Sequence, residues 1–125
     1  MPQTYLLWAA VLGFVGVAAG AFGAHGLKPR LSEEMLAVFE TAVRYQMYHA
    51  AALLGTAWAI QNSSGDAALW AGRFFIAGTL IFSGSLYILS LTGIRWLGAV
   101  TPIGGVAFLA GWACLAWAAF SQGSA

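Results

Sequence analysis

Apolar positions dominate the chain so heavily that its few polar residues act as punctuation. An uncharged apolar stretch covers residues 4–24, a second opens at Arg44 and covers 44–60, a third covers 67–91 with Arg73 near its start, and a fourth covers 96–120 without a charge. Each approaches the roughly 20 residues that a membrane-crossing helix needs. The pattern predicts an all-α protein, a four-helix transmembrane bundle. Asn62-Ser63-Ser64-Gly65-Asp66 and Thr92-Gly93-Ile94-Arg95 read as short polar turns between spans. The remaining interruption has a pattern of its own. Ser32 precedes Glu33 and Glu34, an N-cap followed by acids in the first turn, and Leu31 and Leu36 stand at hydrophobic-staple positions. Leu31, Met35, Phe39 and Ala42 form an apolar stripe at helical spacing. A short amphipathic helix over about 32–43 is expected, either on the membrane surface or as an extension of the second span.

Composition sharpens the choice of solvent. Of 125 residues, 61% are hydrophobic and 7% are charged, with a mean hydropathy of +0.80. A water-exposed domain carries about 25% charge, so the lipid bilayer is the expected solvent of a single integral membrane domain. A net charge of +1 offers no footprint for nucleic acid. Cys114 is alone, and no paired-cysteine, Walker or H-E-x-x-H spacing occurs, so neither a metal nor a cofactor is expected. A cleaved signal would open with Lys or Arg, and Met1-Pro2-Gln3-Thr4 has neither; the first stretch is expected to stay as a span.

Orientation rests on Lys and Arg. The first and third connections hold Lys28, Arg30, Arg44 and Arg95, against Arg73 on the opposite side. The positive-inside rule then places these connections in the cytoplasm and both termini outside. Tyr5, Trp8, Trp58, Trp70 and Trp117 would lie toward the outer interface, with Tyr45 and Trp96 toward the inner one.

Helices in lipid associate through close backbone approach and interhelical hydrogen bonds. The first span places Gly13, Gly16, Gly20 and Gly23 on one smooth face, and the fourth carries Gly104, Gly105 and Gly111; all seven are candidate packing positions. Pro102 reads as a kink or a first-turn proline, with carbonyls facing a cavity as the functional alternative.

The same topology collects polar residues at the cytoplasmic end: His25, Glu40, Arg44, Tyr45, Tyr48, His49, Ser83, Tyr87 and Thr101. Glu40 and Arg44 have the favoured order for a helical ion pair, and Tyr45 and His49 share a face. One pocket containing both histidines is expected. It could be purely structural, each imidazole bonded to a neighbouring helix, or it could bind a small ligand, relay protons, or hold haem or a metal.

Four ordered blocks carry a resemblance. Gly20-Ala21-Phe22-Gly23-Ala24-His25-Gly26-Leu27, Arg44-Tyr45-Gln46-Met47-Tyr48-His49-Ala50, Phe82-Ser83-Gly84-Ser85-Leu86-Tyr87 and Thr101-Pro102-Ile103-Gly104-Gly105 resemble the bacterial domain of unknown function 423 proteins. That family includes the YgdD-like and YwdK-like small membrane proteins and looks related to transmembrane protein 256. The resemblance implies a multi-pass bacterial inner-membrane protein and carries no reaction, substrate or catalytic residue. The expected function is that of a non-enzymatic scaffold or accessory subunit, packed as a homo-oligomer or against another membrane protein. The alternative is an oligomeric small-solute or proton-coupled transporter that uses the cytoplasmic polar cluster.

Overall fold

The computed structural model describes residues 2–123, and among them the regular structure is entirely helical. Helix α1 (Pro2–Ala18) runs into a π-helical turn (Ala19–Gly23) and a single closing turn, α2 (Ala24–Leu27). After a short connection come α3 (Glu33–Asn62) and α4 (Ala67–Thr92), then a 3-10 turn (Arg95–Ala99) that leads into α5 (Thr101–Gly123). Pro102 occupies the first turn of α5, where its missing N–H costs nothing.

The segment at 32–43 is not a separate surface helix. Ser32 caps it, its Oγ accepting from the Met35 N–H at 3.1 Å, and the helix continues unbroken for 30 residues to Asn62. Gly93 ends α4 in the left-handed conformation at φ 76°, its N–H bonded to Leu89 O. That geometry favours glycine.

Pairwise contacts fix the arrangement. Gly23 faces Phe39 and Gly20 faces Val43, so α1 and α3 are antiparallel. Ser83 bonds Ala42 while Phe39 meets Tyr87, and Gly78 meets Gly104 while Phe75 meets Gly111, so α4 runs antiparallel to both α3 and α5. Around α3, Val43 and Gln46 reach α1 on one side and Tyr45 and His49 reach α5 on the other, with Ala42, whose carbonyl accepts from Ser83 of α4, between them. Helices α1 and α5 therefore cover opposite sides of a central α3–α4 pair. The bundle is open rather than a closed ring.

The core holds Tyr5, Leu12, Leu53, Phe75 and Phe108. Tyr5 belongs to it rather than to an interfacial belt, because its hydroxyl donates to Leu69 O at 3.1 Å and its ring lies where Gly72 has no side chain. The outer faces of α1 and α5 are apolar, with Phe14 at 78% and Leu109 at 70% exposure. Pro2–Leu27, Ala67–Thr92 and Arg95–Ser121 are long and apolar enough to cross a membrane, by length and composition. Helix α3 is long enough but, carrying Glu33, Glu34, Glu40, Arg44, Gln46 and His49, is not among these three.

The small residues divide sharply. A Cβ added at Gly104 would stand 2.5 Å from Phe82 N and 2.9 Å from Gly78 O, and one at Gly111 would stand 2.7 Å from the Phe75 ring. Gly16 meets Met47, Gly20 meets Val43, and Gly23 meets Phe39. Gly13 and Gly105 have no neighbour within 4 Å of the added position, so neither lies at a helix contact. Helical periodicity puts them beside packing glycines; in the fold they point past the neighbouring helix.

Candidate functional site

The polar residues of α3 and α4 that point inward form a seam between helices. Gln46 is its centre, 3% exposed on the face of α3 toward α1. Its Nε2 donates to Leu12 O in α1 at 2.8 Å, and its Oε1 accepts from the Tyr87 hydroxyl in α4 at 2.7 Å. One amide thereby ties three helices. Ser83 donates to Ala42 O at 2.7 Å, and the hydroxyls of Ser85 and Thr101 meet at 2.6 Å, joining α4 to α5. Thr56 and Thr79 are spent inside their own helices, each donating to the carbonyl four residues earlier.

His49 marks the second centre, 4% exposed where α3, α4 and α5 meet. Its Nδ1 lies 2.7 Å from Tyr45 O, and its Nε2 lies 3.1 Å from Trp112 Nε1. A carbonyl can only accept and an indole N–H can only donate. The ring is therefore the neutral Nδ1–H tautomer, with its remaining lone pair taken by Trp112. Its face stacks on Phe108 at a centroid distance of 3.6 Å and an interplanar angle of 3°. Phe75 and Trp112 close other sides at 5.5 and 5.9 Å. Protonation would aim a second N–H at the Trp112 N–H, so this geometry serves only the neutral ring.

The expected single pocket does not form. His25 is exposed on α2, apart from His49. Glu40, Arg44 and Tyr48 lie on the outer side of α3, and among the described residues the ion pair is Arg95–Glu34, at 2.9 Å with both side chains exposed, rather than Glu40–Arg44. The reason is geometric: Glu40 and Arg44 sit on the side of α3 opposite Ala42, which faces α4. Tyr45 meets Phe82 and Phe108 with its ring. Of the nine candidates, His49, Ser83, Tyr87, Thr101 and Tyr45 reach helix contacts, while the other four face outward.

Gln46 and Trp112 are not among the candidates that the sequence yields. Gln46 stands seven residues before Leu53 and four after Ala42 on the most buried stripe of α3, and an amide inside such a stripe is a signal for an interhelical bond. Trp112 carries no comparable signal, being one of six tryptophans in apolar surroundings.

Every buried side-chain nitrogen or oxygen among the described residues has a hydrogen-bond partner. No group of three or more His, Cys, Asp or Glu residues that could hold a metal occurs among them. Three open clefts flank α3, one of them against the start of α1 at Pro2, Gln3 and Leu6. One of about 390 Å³ is lined by Gly20, Glu40, Val43, Arg44, Met47 and Tyr48; another, of about 380 Å³, lies against α5 and is lined by Gly55, Trp58, Asn62 and Leu115 among others.

Known proteins supply the remaining observation. The family model described as "Protein of unknown function (DUF423)" matches residues 19–105. The "UPF0382 inner membrane protein YgdD" of Escherichia coli K12 is 44% identical over 110 residues, covering 88% of this chain and 84% of that protein. The "UPF0382 membrane protein YwdK" of Bacillus subtilis is 43% identical over 118 residues, covering 94% and 96%. The "UPF0382 membrane protein SH2409" of Staphylococcus haemolyticus is 46% identical over 113 residues, covering 90% and 92%. No solved structure is significantly similar to the chain. With a family model matching well over half its length and relatives that it spans almost end to end, this chain is a membrane protein belonging to the DUF423 family, whose relatives are named UPF0382 membrane proteins.

Proposed function

We propose that this chain is a four-span protein of the bacterial inner membrane that works as a non-enzymatic scaffold or accessory subunit, assembling through helix faces with itself or with another membrane protein. One observation carries the reading: the buried seam is satisfied internally, with no buried side-chain polar atom among the described residues lacking a partner. Such a seam joins helices and holds out no free group to a solute. His49, the residue best suited to proton relay, has both nitrogens engaged and aromatic rings around it. Antiparallel packing supports the four-span reading: α3 runs between α1 and α4 in the opposite sense, beside two helices long and apolar enough to cross a membrane. Glycine contacts at Gly78, Gly104 and Gly111 bring α4 and α5 close enough for backbone-level packing.

Isolation from native membranes tests the role. A stoichiometric membrane-protein partner, or a solute-free homo-oligomer, supports it; a homo-oligomer that carries a bound solute supports transport instead. Orientation follows the Lys and Arg count, with both termini outside. Ser64→Cys should react with an impermeant thiol reagent in intact cells and Glu33→Cys should not; the reverse labelling would invert the topology.

A further inference from the structure

The outer face of α3 carries charge where that of α1 is apolar. Where the outer face of α1 carries Leu7 and Phe14, at 64% and 78% exposure, that of α3 carries Glu40, Arg44, Tyr48, Ala51 and Gly55, all exposed, with Leu54 and Trp58 exposed farther along. The two charges stand level with the apolar stretches of α1 and α4. Val43, between them, faces Gly20 of α1, and Ala42 bonds Ser83 of α4, nine residues before that helix ends at Thr92 and so about 14 Å along its axis. Phe22, near that level on α1, is 78% exposed and apolar. Among the described residues neither Glu40 nor Arg44 has an ion pair or a side-chain hydrogen bond, although they stand one turn apart. Ionisable groups at membrane depth are costly and seek partners. Beyond them along the same face, Ala51 offers only a methyl and nothing lies within 4 Å of a Cβ added at Gly55.

We infer that this face is the site of a second copy of the chain, with the two α3 helices side by side and parallel, Glu40 of each paired with Arg44 of the other. The inference rests on the assembly role proposed above and names its partner. A twofold axis along the helix pair makes the charges self-complementary. Arg44 leans toward its helix N-terminus, as helical side chains do, which brings it toward the height of Glu40 on the facing copy. Ala51 and Gly55 allow the backbones to approach below the charges. Two of the clefts beside α3 lie on opposite edges of this face, on the α1 side near Glu40 and on the α5 side near Gly55, and leave space for a neighbour. A lipid headgroup could meet the charges, and Leu54 and Trp58 farther along the helix could meet lipid tails; the opposite charges one turn apart are what favour a second copy.

Charge reversal across two chains tests the pairing. Glu40→Arg sets like positive charges against each other in a homodimer, and Arg44→Glu sets like negative charges against each other; each variant alone should lose dimer by about tenfold or more in size-exclusion chromatography with light scattering. Co-expressed with different tags, the two should recover a mixed dimer, because each introduced charge then faces its opposite on the other chain, and the unchanged Arg44 of one chain still faces the unchanged Glu40 of the other. An ion pair within one helix cannot produce that rescue. In a Cys114→Ser background, Ala51→Cys should cross-link on oxidation and Leu109→Cys should not. A variant pair that leaves the dimer fraction unchanged, a mixture that fails to pair while Ala51→Cys fails to cross-link, or binding of lipid to a monomer with no dimer at any concentration would overturn the inference. A heterologous partner recovered from native membranes with both reversal variants would leave the accessory role standing while the α3 dimer falls.

Discussion

Two neighbouring glycines in α5 should respond in opposite directions to the same methyl group. At Gly104 the added Cβ lies 2.5 Å from Phe82 N, 2.8 Å from Phe82 Cβ and 2.9 Å from Gly78 O, two of these being backbone atoms that no rotamer change can move. Ordinary contact begins at 3.4 Å, so α4 and α5 must separate by about 0.9 Å at this point. Overpacking of that kind costs about 1–3 kcal/mol. The separation also loosens the Phe108 contact at Gly78 and the Phe75 contact at Gly111 on the same interface, where a gap of 0.5–1 Å forfeits roughly a quarter to a half of the dispersion attraction. At Gly105 nothing lies within 4 Å, and Ala is the better helix former by up to about 1 kcal/mol. Thermal unfolding in detergent, followed by circular dichroism, should show Gly104→Ala melting roughly 5 °C or more below the parent, with Gly105→Ala unchanged or slightly higher. Equal shifts in both variants, or a larger loss at Gly105, would refute the assigned packing of α5 on α4.

Trp112→Phe keeps an aromatic ring beside His49 and removes its single N–H donor, so it should cost roughly 0.6–1.7 kcal/mol, the range of interhelical hydrogen bonds in bilayers. His49→Ala removes both hydrogen bonds and the stack on Phe108, and should cost more than twice as much in the same melt; equal effects would mean that His49 does not organise the site. Arg95→Ala and Glu34→Ala break an ion pair whose side chains are 73% and 63% exposed, and each should shift stability by less than about 1 kcal/mol in the same melt, a loss that shrinks further in high salt.

The sequence shows that the chain is helical and where its apolar stretches run, but it says little about which face of each helix packs. In water, an apolar stripe marks the buried side. Here both the lipid-facing and the helix-facing sides of α1 are apolar: Phe14 is 78% exposed while Leu12, two residues away, is 7% exposed. The small-residue rule therefore groups Gly13 with Gly16 although only Gly16 meets a neighbour. Local signals that do not depend on solvent are clear. Ser32 caps α3 as its spacing predicts, and Pro102 sits in a first turn. The π turn at Ala19–Gly23 has no comparable sequence marker; it falls where two glycines leave Phe39 and Val43 close to the α1 backbone.

The polar residues of α3 sort by the direction they face. Gln46 and His49 are three residues apart and both point inward, where carbonyls, a phenol and an indole give each of their polar atoms a partner. Neutral groups satisfied in this way tolerate burial. Glu40 and Arg44 point outward, into surroundings that supply nothing equivalent. From sequence alone, Glu40, Arg44 and His49 look like one cluster, since helical spacing places them within a few turns and topology brings them to one end, and Gln46 between them goes unmarked. What separates them is the position of α1, α4 and α5 around α3, which no local pattern encodes. The inward pair explains how one chain holds together; the chain's own packing leaves the outward pair over, and the opposite charges one turn apart are what the proposed twofold-related copy would satisfy.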